Sequence, residues 1–215
     1  MPLLTQIKET KKGRMALFFD GEFAFSLDEA TFAAAGLHTG DTLEDWQVEQ
    51  LRKHSETRRA LDKAMDYLAL RDHAAGELYR KLCRSFDPPS AAYAVAKAGE
   101  LGLLNDEAFA RRRAAELLRK RKSRRAILDD LTARGVDRDT AAAAVEALFS
   151  PAAAPDGETG PGEWQDPELT AARELVRRHY AAKLAAGKRE AVMAALARRG
   201  FSHAVIRQAL QDQSE

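Results

Sequence analysis

The alternation of apolar and polar residues near the start of the chain predicts a small β-sheet. In the stretch RMALFFDGEFAFSL, apolar-rich runs flank Asp20-Gly21. A two-residue Asp-Gly loop suits the type I′ turn, whose twist matches that of paired strands. We therefore predict a β-hairpin over Arg14–Leu27. A further alternating run over 4–9 predicts a third strand, which a lone hairpin needs for stability in water.

Helical signals follow the hairpin. Ser26 or Asp28 is a candidate N-cap and Gly36 a candidate C-cap, so one short helix is expected between them. A second helix is predicted from Leu43 onward. From about Ala60, the chain becomes rich in alanine and leucine with helical periodicity.

Three later segments repeat one helical pattern, which predicts a chain of similar units. The segments are AAGELYRKLCRSFDPPSAAYAV, SRRAILDDLTARGVDRDTAAAAV and KREAVMAALARRGFSHAVIRQAL. Each has two apolar residues four positions apart, on one helical face, and a third apolar residue beyond the helix. These residues are Leu78, Leu82 and Phe86, then Ile127, Leu131 and Val136, then Val192, Leu196 and Phe201. Each segment is interpreted as part of a three-helix unit of about 50 residues.

The predicted fold class is mainly α, with tandem three-helix units behind a small N-terminal sheet. In the second and third units, Gly135 and Gly200 precede the third apolar residue and favour a helix end there. The first unit has Arg84-Ser85-Phe86 instead, so its corner must turn differently. The predicted division is a hairpin region over 1–56, units over 57–104, 105–149 and 168–215, and a flexible linker rich in proline and glycine over 150–167. The length of this linker leaves the placement of the third unit open.

The composition narrows the chemistry. A single cysteine, Cys83, excludes an internal disulfide framework, and its apolar helical neighbours predict a buried side chain. The histidines, which show no paired metal-ligand spacing, are His38, His54, His73, His179 and His203. No signal-peptide core or membrane-length apolar run is found, so a cytoplasmic protein with no cofactor and no membrane partner is predicted.

Catalytic motifs are also missing from the sequence: there is no phosphate-binding glycine loop, nucleophile elbow or zinc-protease motif. Three carboxylate pairs could serve as acid and base groups, namely Asp28-Glu29, Asp106-Glu107 and Asp129-Asp130. The first two pairs lie where helices are predicted to begin, and negative charge there favours the helix dipole. A structural role is therefore the preferred interpretation, and an enzyme is the least favoured class.

The charge is distributed unevenly, although the formal net charge is only +1. The segment up to Glu56 is rich in acids, whereas nine arginines and lysines fall in the twenty residues from Ala108 to Ile127. With Asn105 as N-cap, an apolar stripe of Phe109, Ala110, Ala114, Leu117 and Leu118 leaves Arg111, Arg112, Arg119 and Lys120 outside. These cations either form an ordinary solvated face or meet an acidic partner.

Cations at helix starts favour the second alternative. Ser123 is a predicted N-cap, which places Arg124 and Arg125 in a first turn where each opposes the dipole at a cost of about 0.3–1 kcal/mol. Lys188 and Arg189 follow Gly187 at the corresponding position of the third unit. A partner carrying negative charge is therefore predicted.

The residues resemble those of a known family, the RecX regulators of bacterial recombination. The phrases that carry the resemblance are AMDYLALRDHAAGELYRKL, LGLLNDEAFARRRAAELLRKRKSRRAILDDLTARGV and the hairpin RMALFFDGEFAFSLD. The match extends over Leu4 to about Leu148 and, more weakly, over Glu168 to Leu210. The missing glycine of the first unit and the long insertion before the third depart from the family pattern.

The resemblance implies an elongated, curved array of three-helix units that lodges in the groove of the RecA–single-stranded DNA filament. Such a protein is a regulator, not an enzyme, and restrains filament growth, ATP hydrolysis and strand exchange. We expect a monomer that contacts RecA and, weakly and without sequence preference, single-stranded DNA. The predicted contact residues are Arg111, Arg112, Arg119, Lys120, Lys122, Arg124, Arg125, Arg177, Lys188, Arg189, Arg198 and Arg199. The rival hypothesis is a nucleic-acid-binding helical module that acts without RecA.

Overall fold

The computed structural model describes residues 1–150 and 165–211. These residues form two compact units. The first unit comprises Met1–Arg71 and Leu78–Leu103, and the second comprises Asp72–Glu77 and the described residues from Leu104 onward. The predicted mainly helical chain with a small sheet is confirmed.

The sheet has three antiparallel strands in the order β1-β2-β3. They are β1 (Leu4–Glu9), β2 (Met15–Phe19) and β3 (Glu22–Leu27). Asp20 and Gly21 both have positive φ, 51° and 87°, as a type I′ turn requires. The hairpin and the third strand were thus both predictable from the residue pattern. The sheet core consists of Leu4, Leu17, Phe19, Phe25, Leu27 and Leu43.

The rest of the first unit is helical. It contains α1 (Glu29–Ala35), α2 (Asp45–Leu70), the second part of α3 (Ala75–Leu82) and α4 (Pro88–Glu100). The N-cap of α1 is Asp28, because Ser26 still belongs to β3, and Gly36 ends the helix with φ 60°. The helix α2 runs without interruption past residues 56 and 57, where the sequence predicted a boundary. That division into units stays a prediction.

The corner between α3 and α4 is formed without a glycine. Asp87 accepts a hydrogen bond from the Ser90 amide at 3.1 Å, and Pro88 starts α4 with a suitable fixed φ. Cys83 lies just beyond the end of α3 and is exposed. The prediction of a buried cysteine is therefore wrong, because the helix ends at Leu82 and the chain leaves the core there.

The second unit contains two further sets of helices. The first set is α5 (Asp106–Arg119), α6 (Arg124–Ala133) and α7 (Arg138–Phe149). The second is α8 (Pro167–Leu175), a π-helical turn (Val176–Tyr180), α9 (Ala181–Ala185), α10 (Arg189–Arg198) and α11 (His203–Gln211). The predicted N-caps are confirmed, since the side chain of Asn105 accepts from the Ala108 amide and that of Ser123 from the Ala126 amide.

The repeated apolar pattern forms the cores of this unit. Ile127, Leu131, Val192 and Leu196 are completely buried, and the glycines before Val136 and Phe201 both have a φ of 86°. We call residues 105–149 the second repeat and the described residues from 165 onward the third repeat. The predicted linker lies outside the described residues over 151–164, Trp164 included.

The third repeat packs directly against the second. Leu118 contacts the cores of both repeats, and the Ser123 hydroxyl donates to the Arg199 carbonyl at 2.8 Å. A Cβ added at Gly200 would lie only 2.7 Å from the Ser123 Oγ. The placement of the third repeat that the sequence left open is therefore fixed by contacts between described residues of the two repeats.

Candidate partner-binding surface

The predicted contact residues all belong to the second unit, and all but one are exposed. The helical faces explain this, since Phe109, Ala110, Ala114 and Leu117 are buried and the cations lie on the other face of α5. Leu118 is only partly buried. The exception among the cations is Arg124, whose side chain is 37% exposed.

Several of these cations pair with carboxylates of the same unit. Arg112 lies 2.6 Å from Asp72 on the adjoining segment, and Arg111 lies 3.7 Å from Glu107 on its own helix. Lys120 and Arg125 pair in the same way with Glu116 and Asp129. Exposed pairs of this kind are screened by water and salt and contribute little to stability. Their cations therefore remain available to a partner.

Arg124 has contacts inside the fold that the sequence did not reveal. Its guanidinium lies over the Phe149 ring, 4.6 Å from the centroid, and 3.2 Å from Glu146. Its backbone amide donates to Glu168 Oε1 at 3.0 Å, which places a carboxylate at the start of α6. The contact with the Phe149 ring and the carboxylate at the start of α6 both stabilise this position. The fold itself therefore compensates Arg124 for its place at the start of α6, contrary to the expectation that stability gives no reason for a cation there.

Arg125 differs from its neighbour. Its side chain is 79% exposed and reaches only Asp129, at 3.9 Å. The fold gives it no comparable compensation for its place in the first turn of α6. The contact of Arg125 with an outside partner therefore stays a prediction.

Other predicted cations differ in how far the fold engages them. Arg189 donates to the Leu210 carbonyl, and the Arg199 guanidinium lies 5.5 Å from the Tyr180 ring centroid. Within 1–150 and 165–211, five predicted side chains form no hydrogen bond, ion pair or ring contact: Arg119, Lys122, Arg177, Lys188 and Arg198.

A groove lies where the second and third repeats meet, and we call it the junction groove. Its volume is about 390 Å³. One side is formed by the end of α5 and the residues after it, and the other by α8 and the residues before it. The lining residues are Leu118, Arg119, Arg121, Gln165, Pro167, Thr170, Ala171 and Glu174. Arginine, threonine and glutamine donors in one groove suit an anionic ligand.

Arginines gather around one carboxylate in this groove. Arg121 donates from Nε to Glu174, and this bond, with the charges of Arg178 and Arg177, holds the pKa of Glu174 below its ordinary value. Arg119 lines the same groove. The structure thus brings together Arg119 and Arg177, which the sequence predicted, with Arg121 and Arg178, which it did not.

The two missed arginines occupy unusual backbone positions. Arg121 has a φ of 58°, in the left-handed region that glycine or asparagine normally occupies after a helix. Arg178 belongs to the π-helical turn, an irregularity often found at functional sites. The arginine in the position after α5 was the only signal available in the sequence, since the π-helical turn has no simple residue signature.

Two of the carboxylates considered as acid and base groups, Asp106 and Asp130, bind other parts of the fold. Asp130 accepts two hydrogen bonds from Arg113, at 2.9 and 3.0 Å, and one from Arg134, and these bonds lower its pKa although burial opposes them. Asp106 accepts the Ala75 amide at 2.8 Å. In the part of the chain that the structure describes, no group of three or more potential metal ligands is found. No helix there is long and apolar enough to cross a bilayer.

Comparison with known proteins adds a family match. A family model described as the second three-helix domain of RecX matches residues 105–145. A protein of Lactobacillus gasseri named regulatory protein RecX is 32% identical over 187 residues, covering 86% of this chain and 64% of that protein. Relatives of the same name in Caldanaerobacter subterraneus and Bacillus subtilis are 30% and 28% identical over 68% and 65% of this chain. The matched regions span 76% and 54% of those two relatives.

Solved structures agree in fold. A crystal structure of a regulatory protein RecX matches with a TM-score of 0.68 and 18% identity, over 98% of this chain and all of the other. The crystal structure of RecX from Lactobacillus salivarius matches with a TM-score of 0.59 and 17% identity, over 74% of this chain and 97% of the other. At such identities the likeness concerns the fold alone.

Proposed function

Because this chain belongs to the RecX family of regulatory proteins, we propose that it binds the RecA–single-stranded DNA filament and restrains it. The proposed effects are slower filament extension, ATP hydrolysis and strand exchange. The protein performs no chemistry of its own in this proposal, in agreement with relatives that are named regulatory proteins. It acts in the cytoplasm as a monomer and without a cofactor.

The observation that carries the proposal is the gathering of arginines at the junction groove. Arg121 of the second repeat and Arg177 and Arg178 of the third act electrostatically on the single carboxylate of Glu174, and Arg119 of the second repeat lines the same groove. Planar guanidinium groups match carboxylates and phosphates with paired hydrogen bonds, which suits either an acidic RecA surface or DNA phosphates. The twelve cations predicted from the sequence remain the proposed contact set, to which the groove adds Arg121 and Arg178.

The test is RecA ATP hydrolysis on single-stranded DNA, with the protein titrated to stoichiometric excess. We expect inhibition that weakens as salt rises, because charged contacts are screened. The double reversal R119E/R177E should raise the concentration needed for half-inhibition. A matched control is R138E/R207E, which makes the same charge change at two exposed positions of the same unit. Unchanged ATP hydrolysis with the wild-type protein would refute the proposal.

Filter binding to single-stranded DNA, without RecA and across a salt series, addresses the rival hypothesis. Weak binding that is lost near physiological salt is expected if RecA is the main partner. Tight binding that persists there, together with no effect on RecA, would instead favour a module that acts on nucleic acid alone.

A further inference from the structure

The second unit contains the same carboxylate contact twice. The Arg124 amide at the start of α6 donates to Glu168 at 3.0 Å, and the Ala75 amide at the start of α3 donates to Asp106 at 2.8 Å. Ala75 and Arg124 are equivalent, since each stands three residues before the first apolar residue of its repeated pair, Leu78 or Ile127. Each acceptor lies in the first turn of a helix that follows later in the chain, α8 or α5.

A glycine corner accompanies each of these contacts. Gly200 packs against the start of α6, where an added Cβ would lie 2.7 Å from Ser123 Oγ and 3.4 Å from the Arg125 Cβ. A Cβ at Gly76, in the first turn of α3, would lie 2.6 Å from the Gly135 carbonyl oxygen. In both places a helix start is thus held between a carboxylate and a close glycine contact. We call each such arrangement a joint.

The joint at α6 is buried and electrostatically favourable. Glu168 is only 6% exposed, and its carboxylate lies at the positive end of the α6 dipole. Burial raises the pKa of Glu168, and the bond from the Arg124 amide opposes that rise. A bond between a carboxylate and a backbone amide is stronger than a neutral one, and its loss leaves a part-buried donor unsatisfied.

The α6 joint is adjacent to the junction groove on both sides. Glu168 precedes Thr170 and Glu174 on α8, which line one side of the groove. Ser123 caps α6 two residues after Arg121, which lines the other side. A shift of α8 relative to α6 would therefore change the distance between the arginines of the two repeats.

We infer that Glu168 is a positioning residue, which fixes α8 against the start of α6 and thereby sets the width of the junction groove. The importance of that width for regulation rests on the proposed function. The geometric part does not, because it concerns only the position of the third repeat on the second.

The geometric part is tested by pulsed electron paramagnetic resonance on the full chain. Spin labels are attached to cysteines introduced at the exposed Arg138 and Arg207, one on each repeat, with Cys83→Ser to remove the native thiol. We expect one narrow distance distribution in the parent protein and in E168Q, whose amide oxygen still accepts the Arg124 amide. E168A should broaden the distribution. A distribution in E168A as narrow as in the parent protein would overturn the inference.

Two further variants keep the test decisive. D106A removes the equivalent bond at α3 and should leave the distance between the labels unchanged. Broadening by D106A equal to that by E168A would mean that both carboxylates act only through general stability, which also overturns the inference. If E168A fails to fold, E168D takes its place. This variant keeps the charge but moves the carboxylate oxygens away from the Arg124 amide, and the inference stands only if E168D broadens the distance distribution.

Regulation is measured separately as inhibition of RecA ATP hydrolysis. We expect E168A to need at least about tenfold more protein for half-inhibition, a loss typical of a hydrogen bond to a charged group, and E168Q to restore most of it. Full inhibition by E168A despite a broadened distance would refute the functional part. If the parent protein leaves RecA unaffected, the proposed function fails, whereas the distance measurements still decide the role of Glu168.

Discussion

Replacing Gly76 with alanine should reverse the usual effect of this substitution. In an ordinary helical position, alanine stabilises relative to glycine by about 0.5–1 kcal/mol, because it restricts the unfolded chain. Gly76 lies in the first turn of α3, and its new Cβ would be 2.6 Å from the carbonyl oxygen and 2.8 Å from the Cα of Gly135. Both are backbone atoms, so no flexible side chain can move aside.

The expected magnitude follows from the cost of overpacking. Inserting a methyl group where the surroundings must shift costs about 1–3 kcal/mol, which exceeds the gain in helix propensity. We therefore expect G76A to lower the free energy of unfolding by about 0.5–2 kcal/mol, combining these two effects. Gly135 has a φ of 86° and occupies a turn, so it cannot easily retreat.

Urea unfolding followed by circular dichroism measures this difference, and G99A is the matched control. Gly99 is also helical, in α4, but an added Cβ there would meet nothing within 4 Å. G99A should therefore raise stability by about 0.4–1 kcal/mol. If G76A stabilises the protein as G99A does, the close approach of α3 to the Gly135 turn is not rigid, and Gly135 does not hold the start of α3.

Three further predictions concern the second unit. S123A, which removes the cap of α6 from a completely buried position, should lower the unfolding free energy by about 1–3 kcal/mol in urea titrations, and S123T should recover part of it. The pKa of Asp130 is lowered in the folded state, chiefly by its hydrogen bonds from Arg113. Asp130 therefore contributes stability that is present above its unfolded pKa and is lost as the pH falls through its folded pKa. Thermal melts across this pH range should show less acid destabilisation for D130N than for the parent protein. R124E should lower the melting temperature, because it removes the contact of Arg124 with the Phe149 ring. R125E should leave the melting temperature unchanged or slightly raised and should still weaken RecA inhibition. Equal melting shifts in the two variants would contradict the difference between Arg124 and Arg125.

The parts of the fold that the sequence predicted correctly depend on neighbours along the chain. The Asp20-Gly21 turn, the caps at Asn105 and Ser123, and the apolar pairs are decided by a few adjacent residues. Cys83 shows the limit of such reasoning, because its burial depended on where one helix ends.

The candidate site was less predictable because distant residues form it. Arg124 and Glu168 are 44 positions apart, and Ser123 bonds to a carbonyl 76 positions away. An exposed arginine and one stacked on Phe149 look alike in a sequence. The sequence therefore indicated that this region is basic, but only contacts between residues distant in the sequence, within the second repeat and between the second and third, separate the cations held by the fold from those left for a partner.

The joints also have a direction, which bears on self-association. A joint needs two partners. One partner supplies a carboxylate in the first turn of a helix together with a glycine corner, and the other supplies a helix start whose backbone amides are free to donate. Residues 57–104 contain neither a helix that begins with a carboxylate in this way nor a glycine corner, since α2 continues unbroken through 56–57 and Arg84-Ser85-Phe86 replaces the glycine corner. A helix start without a side-chain cap is present in the third repeat, at the beginning of α10, where the N-cap Lys188 makes no side-chain capping bond. Two copies of the chain therefore cannot join end to end through a joint, and this favours the predicted monomer. A dimer in sedimentation velocity that R189E disrupts would contradict this expectation.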